Sequence, residues 1–90
     1  SVIVLTPEVS ATDPKVSLKI TGLATSDTPY IIYRDKSYSL NKIGEEEFMS
    51  VPLDMDESED EISVCVGGKE IDKCTIHWQV GATEEDLFDF

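Results

Sequence analysis

Positive charge is scarce in this 90-residue sequence, which holds seven lysines and arginines against nineteen aspartates and glutamates. The formal net charge is −12, and the imbalance lies in the second half. Residues 1–44 hold four acids and five bases, whereas residues 45–90 hold fifteen acids and two bases. Because proteins bind polyphosphates mainly through cationic contacts that release counterions, we expect no direct binding to nucleic acid or to an anionic membrane. A basic protein partner, a cation or solubility alone are each consistent with such a surface.

The sequence also lacks long apolar runs and catalytic motifs. No stretch approaches the roughly 20 apolar residues of a membrane span, and no basic start leads into an apolar run with a cleavage site. His77 is the only histidine, and no G-x-S-x-G element supplies a nucleophile. A chain this short buries only about 60–65% of its unfolded surface, which leaves little depth for the walled cleft that paired catalytic carboxylates need. We therefore expect no catalysis and no cofactor.

Apolar and polar residues alternate with a period of two along most of the chain, and no comparable helical period is present. The alternation predicts about seven short strands separated by Gly, Pro or Asp, the pattern of an all-β sandwich. They lie in residues 2–5, 16–21, 30–34, 37–40, 48–55, 62–66 and 74–80. A hairpin is expected around Asp35-Lys36, and Pro52 indicates an edge strand or a bulge because it cannot donate to a ladder. We expect one domain over residues 1–82 and a flexible acidic tail over residues 83–90.

Three segments resemble a known family. Residues 16–24, VSLKITGLA, resemble the V-x-L/I-x-I-x-G-x-A signature of a strand in bacterial and phage immunoglobulin-like modules. Residues 48–53, FMSVPL, and 62–66, ISVCV, are similar to two further blocks of that family, although Ser58 and Asp60 replace its Gly and Asn. The resemblance implies an immunoglobulin-like sandwich of two antiparallel sheets. It also implies a structural or interaction module. The compartment stays open, and we favour the cell surface or a virion over the cytoplasm.

The densest group of oxygen ligands lies in residues 54–61, with the sequence DMDESEDE. Asp54, Asp56 and Asp60 are candidate calcium ligands, because Ca²⁺ accepts about six to eight oxygens in flexible geometry. An EF-hand loop is excluded, since Glu59 stands where that loop needs Gly and Cys65 where it needs a bidentate Glu. The alternative is a solvated acidic loop without metal, and we favour it.

Cys65 and Cys74 are the only cysteines, and two interpretations stay open. One is a disulfide across a hairpin centred on Lys69-Glu70, as in an oxidising compartment; the other is a pair of free buried thiols. The alternation allows both to be buried only if the hairpin twists or bulges. A zinc site that combines the cysteines with His77 is disfavoured. Cys74 and His77 are three residues apart, and residues at that spacing on a strand point to opposite faces.

Aromatic side chains supply candidate partner-binding residues. Tyr33 and Tyr38 flank the predicted turn and, if exposed, form a small aromatic face for a protein or a carbohydrate. Trp78 is expected in the core with Ile76 rather than in a ligand-stacking platform.

A second candidate lies in the tail, where Leu87, Phe88 and Phe90 stand among acids. Such a segment can enter an apolar groove of a partner and order on binding, or pack along the edge of the sandwich. The last residues, LFDF, are similar to the C-terminal sliding-clamp-binding peptide of T-even phage replication proteins, which implies a clamp-like partner.

Two functions follow from these features. The first is a non-catalytic immunoglobulin-like structural or interaction module of a surface or virion protein, which binds a partner through loops or one sheet face. The second is a small phage-type adaptor or inhibitor, whose acidic surface and tail bind a nucleic-acid-handling protein. Mimicry of DNA needs carboxylates spread at phosphate-like spacing, whereas here they cluster in residues 45–47, 54–61 and the tail. We favour the first function.

Overall fold

A computed structural model describes residues 1–6 and 8–79, and this part of the chain is all-β. It contains nine strands: β1 (Val2–Val4), β2 (Glu8–Ser10), β3 (Ser17–Ile20), β4 (Tyr30–Tyr33), β5 (Lys36–Lys42), β6 (Glu47–Ser50), β7 (Glu61–Val66), β8 (Lys69–Thr75) and β9 (His77–Gln79). Among these residues there is no helix long and apolar enough to cross a membrane. The predicted fold class, all-β, is confirmed.

Seven of the strands form one antiparallel sheet in the order β1-β3-β6-β5-β4-β7-β8. The sheet curls towards a barrel, so that β1 at one edge approaches β8 at the other. The remaining strands, β2 and β9, pair in parallel and run side by side from Glu8 and His77 to Ser10 and Gln79. Chain direction alternates through the sheet, which brings the 11–15, 34–35 and 51–60 connections to one end of the strands and the 21–29, 43–46 and 67–68 connections to the other.

Strand β5 changes its partner half-way along. Its residues 36–39 pair with β4, and its residues 40–42 pair with β6. The register of the β4 pairing, Tyr30 opposite Ser39, would next place Pro29 opposite Leu40. Proline has no N–H to donate to a ladder, so that the β4–β5 ladder ends there. Beyond this point β5 pairs with β6 alone, and it is no longer paired with β4.

The tight turns use the left-handed backbone region. Arg34 and Asp35 join β4 to β5 with φ angles of 52° and 63°, and Gly67 and Gly68 join β7 to β8 with φ angles of 61° and 82°. Two successive residues with positive φ are the mark of a type I′ hairpin turn, whose twist matches that of the strands. The predicted β4–β5 hairpin is confirmed, although its turn lies one residue earlier than Asp35-Lys36.

The core is built from residues of alternating strand positions. Its buried side chains are Val9, Val16, Leu18, Ile20, Ile31, Tyr33, Phe48, Leu53, Ile62, Val64 and Ile76. On β6 the sequence alternation would group Met49 with Val51 on one face, yet Phe48 and Ser50 face inward. Ser50 is tolerated there because its hydroxyl accepts a hydrogen bond from the Val16 N–H at 2.9 Å, so that no polar atom is left unsatisfied.

Candidate functional site

A buried tyrosine holds the acidic loop that joins β6 to β7. Tyr33 ends β4 and is fully buried, with its hydroxyl beneath the loop. The hydroxyl donates to the carbonyls of Asp56 (2.7 Å) and Glu59 (3.0 Å), and it accepts from the Asp56 N–H at 3.1 Å. A further bond from the Glu59 N–H to the Asp56 carbonyl, 2.9 Å, closes the turn. One side chain of the core thus fixes both ends of the turn at residues 56–59.

Trp78 supports the same turn from the other side. Its indole Nε1–H donates to the Glu59 carbonyl at 2.8 Å, and its ring meets that of Tyr33 edge-to-face with centroids 5.8 Å apart. The Ile76 N–H, just before β9, donates to the Asp60 carbonyl at 2.7 Å. Trp78 is half-buried and packs against the core, as expected, and it also positions the loop. Strand β9 therefore acts with β4 in setting the loop conformation.

The turn between β4 and β5 supplies the counter-charges. Lys36 Nζ lies 2.9 Å from Asp54 Oδ2, and Arg34 Nε lies 3.4 Å from Asp56 Oδ2. The Tyr38 hydroxyl accepts from the Asp54 N–H at 3.1 Å. The hydrogen bond and charge of Lys36 lower the pKa of Asp54, and Asp54 in return raises the pKa of Lys36. These pairs are exposed and each contributes little energy, but together they orient the first half of the loop.

Asp56 is held mainly within its own turn. Its carboxylate accepts from the hydroxyl of Ser58 at 2.6 Å and from the Ser58 N–H at 3.0 Å. These bonds, with a smaller contribution from Arg34, lower the pKa of Asp56. Its two oxygens point to separate partners, so that it is occupied as a structural group.

The loop exposes its remaining carboxylates. Glu57, Glu59 and Asp60 are exposed, and so is Glu61 at the start of β7. Lys73 on β8 lies at the edge of this group, with its Nζ 3.9 Å from Glu61 Oε1. The backbone is fixed from the core while these side chains face solvent, so the loop presents negative charge in one arrangement. Such a surface attracts a cationic partner and raises its association rate.

The candidate calcium ligands do not converge. Asp54 and Asp56 are paired with Lys36 and Arg34, and the Asp60 carbonyl is bonded to the Ile76 N–H. Within residues 1–6 and 8–79, no group of three or more His, Cys, Asp or Glu side chains is placed to share a metal ion.

The disulfide interpretation is wrong. Cys74 lies opposite Ile62 on β7, and Cys65 lies opposite Glu70 on β8. The cysteines are therefore offset by three residues along β7 and four along β8, which is about 10 Å or more. A disulfide needs Cα atoms within about 7 Å. The hairpin is centred on the glycine pair at 67–68 and carries a bulge next to Cys65. Both residues are free thiols, and burial raises the pKa of each.

The expected aromatic face is only partly at the surface. Tyr33 is fully buried, so that it belongs to the core and to the loop support instead of a surface. Tyr38 is half-buried, packs against the core and binds the Asp54 N–H. The remaining predicted partner-binding residues, Leu87, Phe88 and Phe90, lie outside the described residues.

A groove opens at the opposite end of the strands, and the sequence reasoning missed it. It has a volume of about 460 Å³ and lies between the 22–29 segment and strands β5 and β6. Its floor is apolar, with Ile20, Leu40 and Phe48, and its rim carries charged side chains, Asp27, Lys42, Glu45 and Glu46. A second depression of about 450 Å³ adjoins it, and the two share Thr28, Pro29 and Leu40. The one sequence signal for this groove is Pro29, directly before the predicted strand at Tyr30.

No family model, no curated protein and no solved structure matches this chain. The geometry of the two surfaces is therefore the basis for a functional assignment.

Proposed function

We propose that the chain is a non-catalytic immunoglobulin-like binding module, of the kind found in surface and virion proteins. It binds a basic protein partner through the acidic loop of residues 54–61. The attachment of that loop carries the proposal: the Tyr33 hydroxyl and the Trp78 indole hold its backbone from below, while its outer carboxylates face solvent. A loop already ordered in the free protein loses less conformational entropy when it binds, which favours affinity.

Strand pairing supports the immunoglobulin-like part of the proposal. Because β5 divides its pairing between β4 and β6, the curled sheet comprises two halves. One half contains β1, β3, β6 and residues 40–42 of β5. The other half contains residues 36–39 of β5 together with β4, β7 and β8. The parallel pair of β2 and β9 links the first strands to the last ones. Two antiparallel layers that enclose one core, with a strand that passes between them, are features of immunoglobulin-like sandwiches.

The proposal assigns no catalytic role to the single histidine. His77 is exposed on β9, opposite Glu8 of β2, and none of the hydrogen bonds among the described residues joins its ring to a nucleophile. The two carboxylates that are held by hydrogen bonds and ion pairs, Asp54 and Asp56, have Lys36 and Arg34 as their partners. Catalytic groups need a partner that activates them and a site that excludes water.

The proposal is tested by affinity capture from a lysate of the source organism. The triple variant Glu57→Gln, Glu59→Gln, Asp60→Asn neutralises three exposed carboxylates of the loop and leaves its ion-paired acids unchanged. The matched control, Glu8→Gln, Glu47→Gln, Glu70→Gln, removes the same charge at exposed positions that lie outside this loop and do not line the groove. We expect the first variant to lose a partner that the intact chain and the control retain, and we expect salt to weaken that capture. Equal capture by both variants would refute the loop as the binding surface.

The adaptor function is tested in the same experiment with a chain that ends at Ala82. If this shorter chain loses the partner while the loop variant keeps it, the tail is the binding element. The module would then be a carrier for residues 83–90, and the acidic loop would not be its contact surface.

A further inference from the structure

The partner switch of β5 leaves part of a strand edge without a neighbour. The Ser39 carbonyl accepts from the Val51 N–H at 3.1 Å, and the Ile43 N–H donates to the Glu47 carbonyl at 2.9 Å. Main-chain groups alternate in direction along an antiparallel strand. If Ser39 and Ile43 bond towards β6, then the N–H and C=O groups of Leu40 and Lys42 point the other way. That direction is the groove beside the 22–29 segment.

Nothing in the described part of the chain pairs with that edge. The β4 ladder stops at Tyr30 opposite Ser39, and no backbone hydrogen bond joins Leu40 or Lys42 to the 22–29 segment. The residue directly before β4 is Pro29, which has no N–H to donate to Leu40. The edge is only three residues long, and Lys42 is the kind of side chain that protects edges from indiscriminate pairing.

The groove beside this edge is shaped for a side chain. Its floor is formed by Ile20 and Phe48, which are almost fully buried, and by Leu40, which is half-buried. The far wall is held in place by Asp27, whose carboxylate accepts from the Ala24 N–H at 2.9 Å. The volume of the groove, about 460 Å³, is within the range of about 300–1,000 Å³ typical of binding sites.

Charge defines the kind of occupant. The rim carries three carboxylates, those of Asp27, Glu45 and Glu46, against one ammonium group, that of Lys42. The whole chain has a net charge of −12. Both features repel a second copy of this chain and the acidic residues 84–90, and both attract a cationic segment.

We propose that residues 40–42 of β5 accept an extended segment of a basic protein partner as an added strand. The segment pairs with the backbone of Leu40 and Lys42, places an apolar side chain over Ile20 and Phe48, and sets basic residues against the acidic rim. Added strands gain affinity from main-chain bonds and specificity from alternate side-chain pockets. This site lies at the opposite end of the strands from the loop of residues 54–61 and does not depend on the function proposed for that loop.

The first measurement is amide hydrogen exchange of the full chain without any ligand. The N–H groups of Leu40 and Lys42 are expected to exchange quickly, and that of Asn41, which points towards β6, slowly. Slow exchange of all three at low protein concentration would mean that the edge is already covered. If the amides of Leu40 and Lys42 exchange rapidly in a chain that ends at Ala82 but slowly in the full chain, the tail is the occupant. Protection that increases with protein concentration would identify a second copy. Each of these three results overturns the proposal.

The second measurement is titration of the full chain with a capped pentapeptide, Lys-Phe-Lys-Val-Lys, followed by amide chemical shifts. The control peptide, Glu-Phe-Glu-Val-Glu, has the same apolar face and the opposite charge. We expect the basic peptide to shift and protect the amides of Leu40 and Lys42. We expect the acidic peptide to bind about tenfold more weakly, with a difference that shrinks in high salt. Equal affinity of the two peptides, or shifts located elsewhere, would refute the site.

A pair of variants separates main-chain pairing from charge. Lys42→Pro removes one N–H that points into the groove and no bond to β6, whereas Lys42→Ala removes only the ammonium group. Loss of one hydrogen bond predicts about tenfold weaker peptide binding for Lys42→Pro, and binding at least as strong as in the parent chain for Lys42→Ala. If Lys42→Pro does not fold, a peptide N-methylated at alternate residues tests the partner bonds of the same ladder, because it cannot donate to the carbonyls of Leu40 and Lys42. Unchanged binding in either case would exclude an added strand.

Discussion

The Tyr33 hydroxyl is the most informative single group to remove. Tyr33→Phe keeps the ring, its burial and its edge contact with Trp78, and it deletes three hydrogen bonds to the loop backbone. A net contribution of about 0.5–1.5 kcal/mol for each of the three bonds gives a total of about 1.5–4.5 kcal/mol. Two of the bonds share a single proton, and water can reach the loop once it opens. We therefore expect a loss of about 2 kcal/mol in the free energy of unfolding, or about 10 °C in Tm for a domain of this size.

The matched control is Tyr38→Phe, which removes one hydroxyl that accepts a single bond, from the exposed Asp54 N–H. We expect it to cost less than about 1 kcal/mol. Urea unfolding followed by the fluorescence of Trp78 measures both variants, and amide exchange at Asp56 reports on the loop itself. If Tyr33→Phe costs no more than Tyr38→Phe, or if the Asp56 amide stays protected, the loop is not held by this hydroxyl.

Three further predictions test the electrostatics, the thiols and the core. Because the pKa values of Asp54 and Asp56 are lowered in the folded state, their pairs stabilise the fold above the unfolded pKa of about 3.9 and this contribution is lost as pH falls through the folded pKa values. The double variant Asp54→Asn, Asp56→Asn should show a smaller drop in urea midpoint between pH 6 and pH 3 than the parent; an equal drop would contradict the assignment. In air-exposed protein, Cys65 and Cys74 should both remain alkylatable after unfolding without reductant, and a mass lower by two hydrogens that reductant restores would contradict the register. Ile31→Ala should cost about 3 kcal/mol in urea unfolding, since Ile31 is fully buried between β5 and β7; a cost below about 1 kcal/mol would mean that the core is packed differently.

The two proposals place separate binding surfaces at the two ends of the strands. The loop of residues 54–61 offers charge in a fixed arrangement, and the groove beside residues 40–42 offers backbone groups and an apolar floor. Both favour cationic partners, in keeping with the net charge of −12. The loop triple variant and the Lys42→Pro variant lie at opposite ends of the strands, so each should weaken one interaction and leave the other intact. A variant that abolished both would point to unfolding or to a single shared partner.

The period of two was sufficient to predict much of the fold. Leu18 and Ile20 on β3, and Ile62 and Val64 on β7, were placed in strands by alternation alone and are buried in the structure. Such positions can be read locally, because burial on one face of a sheet requires apolar residues at every second position whatever strand lies alongside. The same rule failed at Ser50, where a hydrogen bond from another strand makes a polar residue acceptable inside.

The sites depended on contacts between residues far apart in the chain. Whether Cys65 meets Cys74 was decided by a bulge and by the position of the glycine turn, neither of which has a local hydrophobic signal. Tyr33 was recognised as an aromatic beside a turn, but its role follows from bonds to residues more than twenty positions away.

The sequence by itself determined that the chain is all-β, that its charge is strongly negative and that its acids cluster, because these are properties of composition and of local alternation. The tertiary structure decided which acids are paired with Arg34 and Lys36, which tyrosine is buried, and where β5 leaves β4. The last of these combines both levels. Pro29 removes one donor wherever it occurs, but only the register that sets it opposite Leu40 turns that missing N–H into an open strand edge.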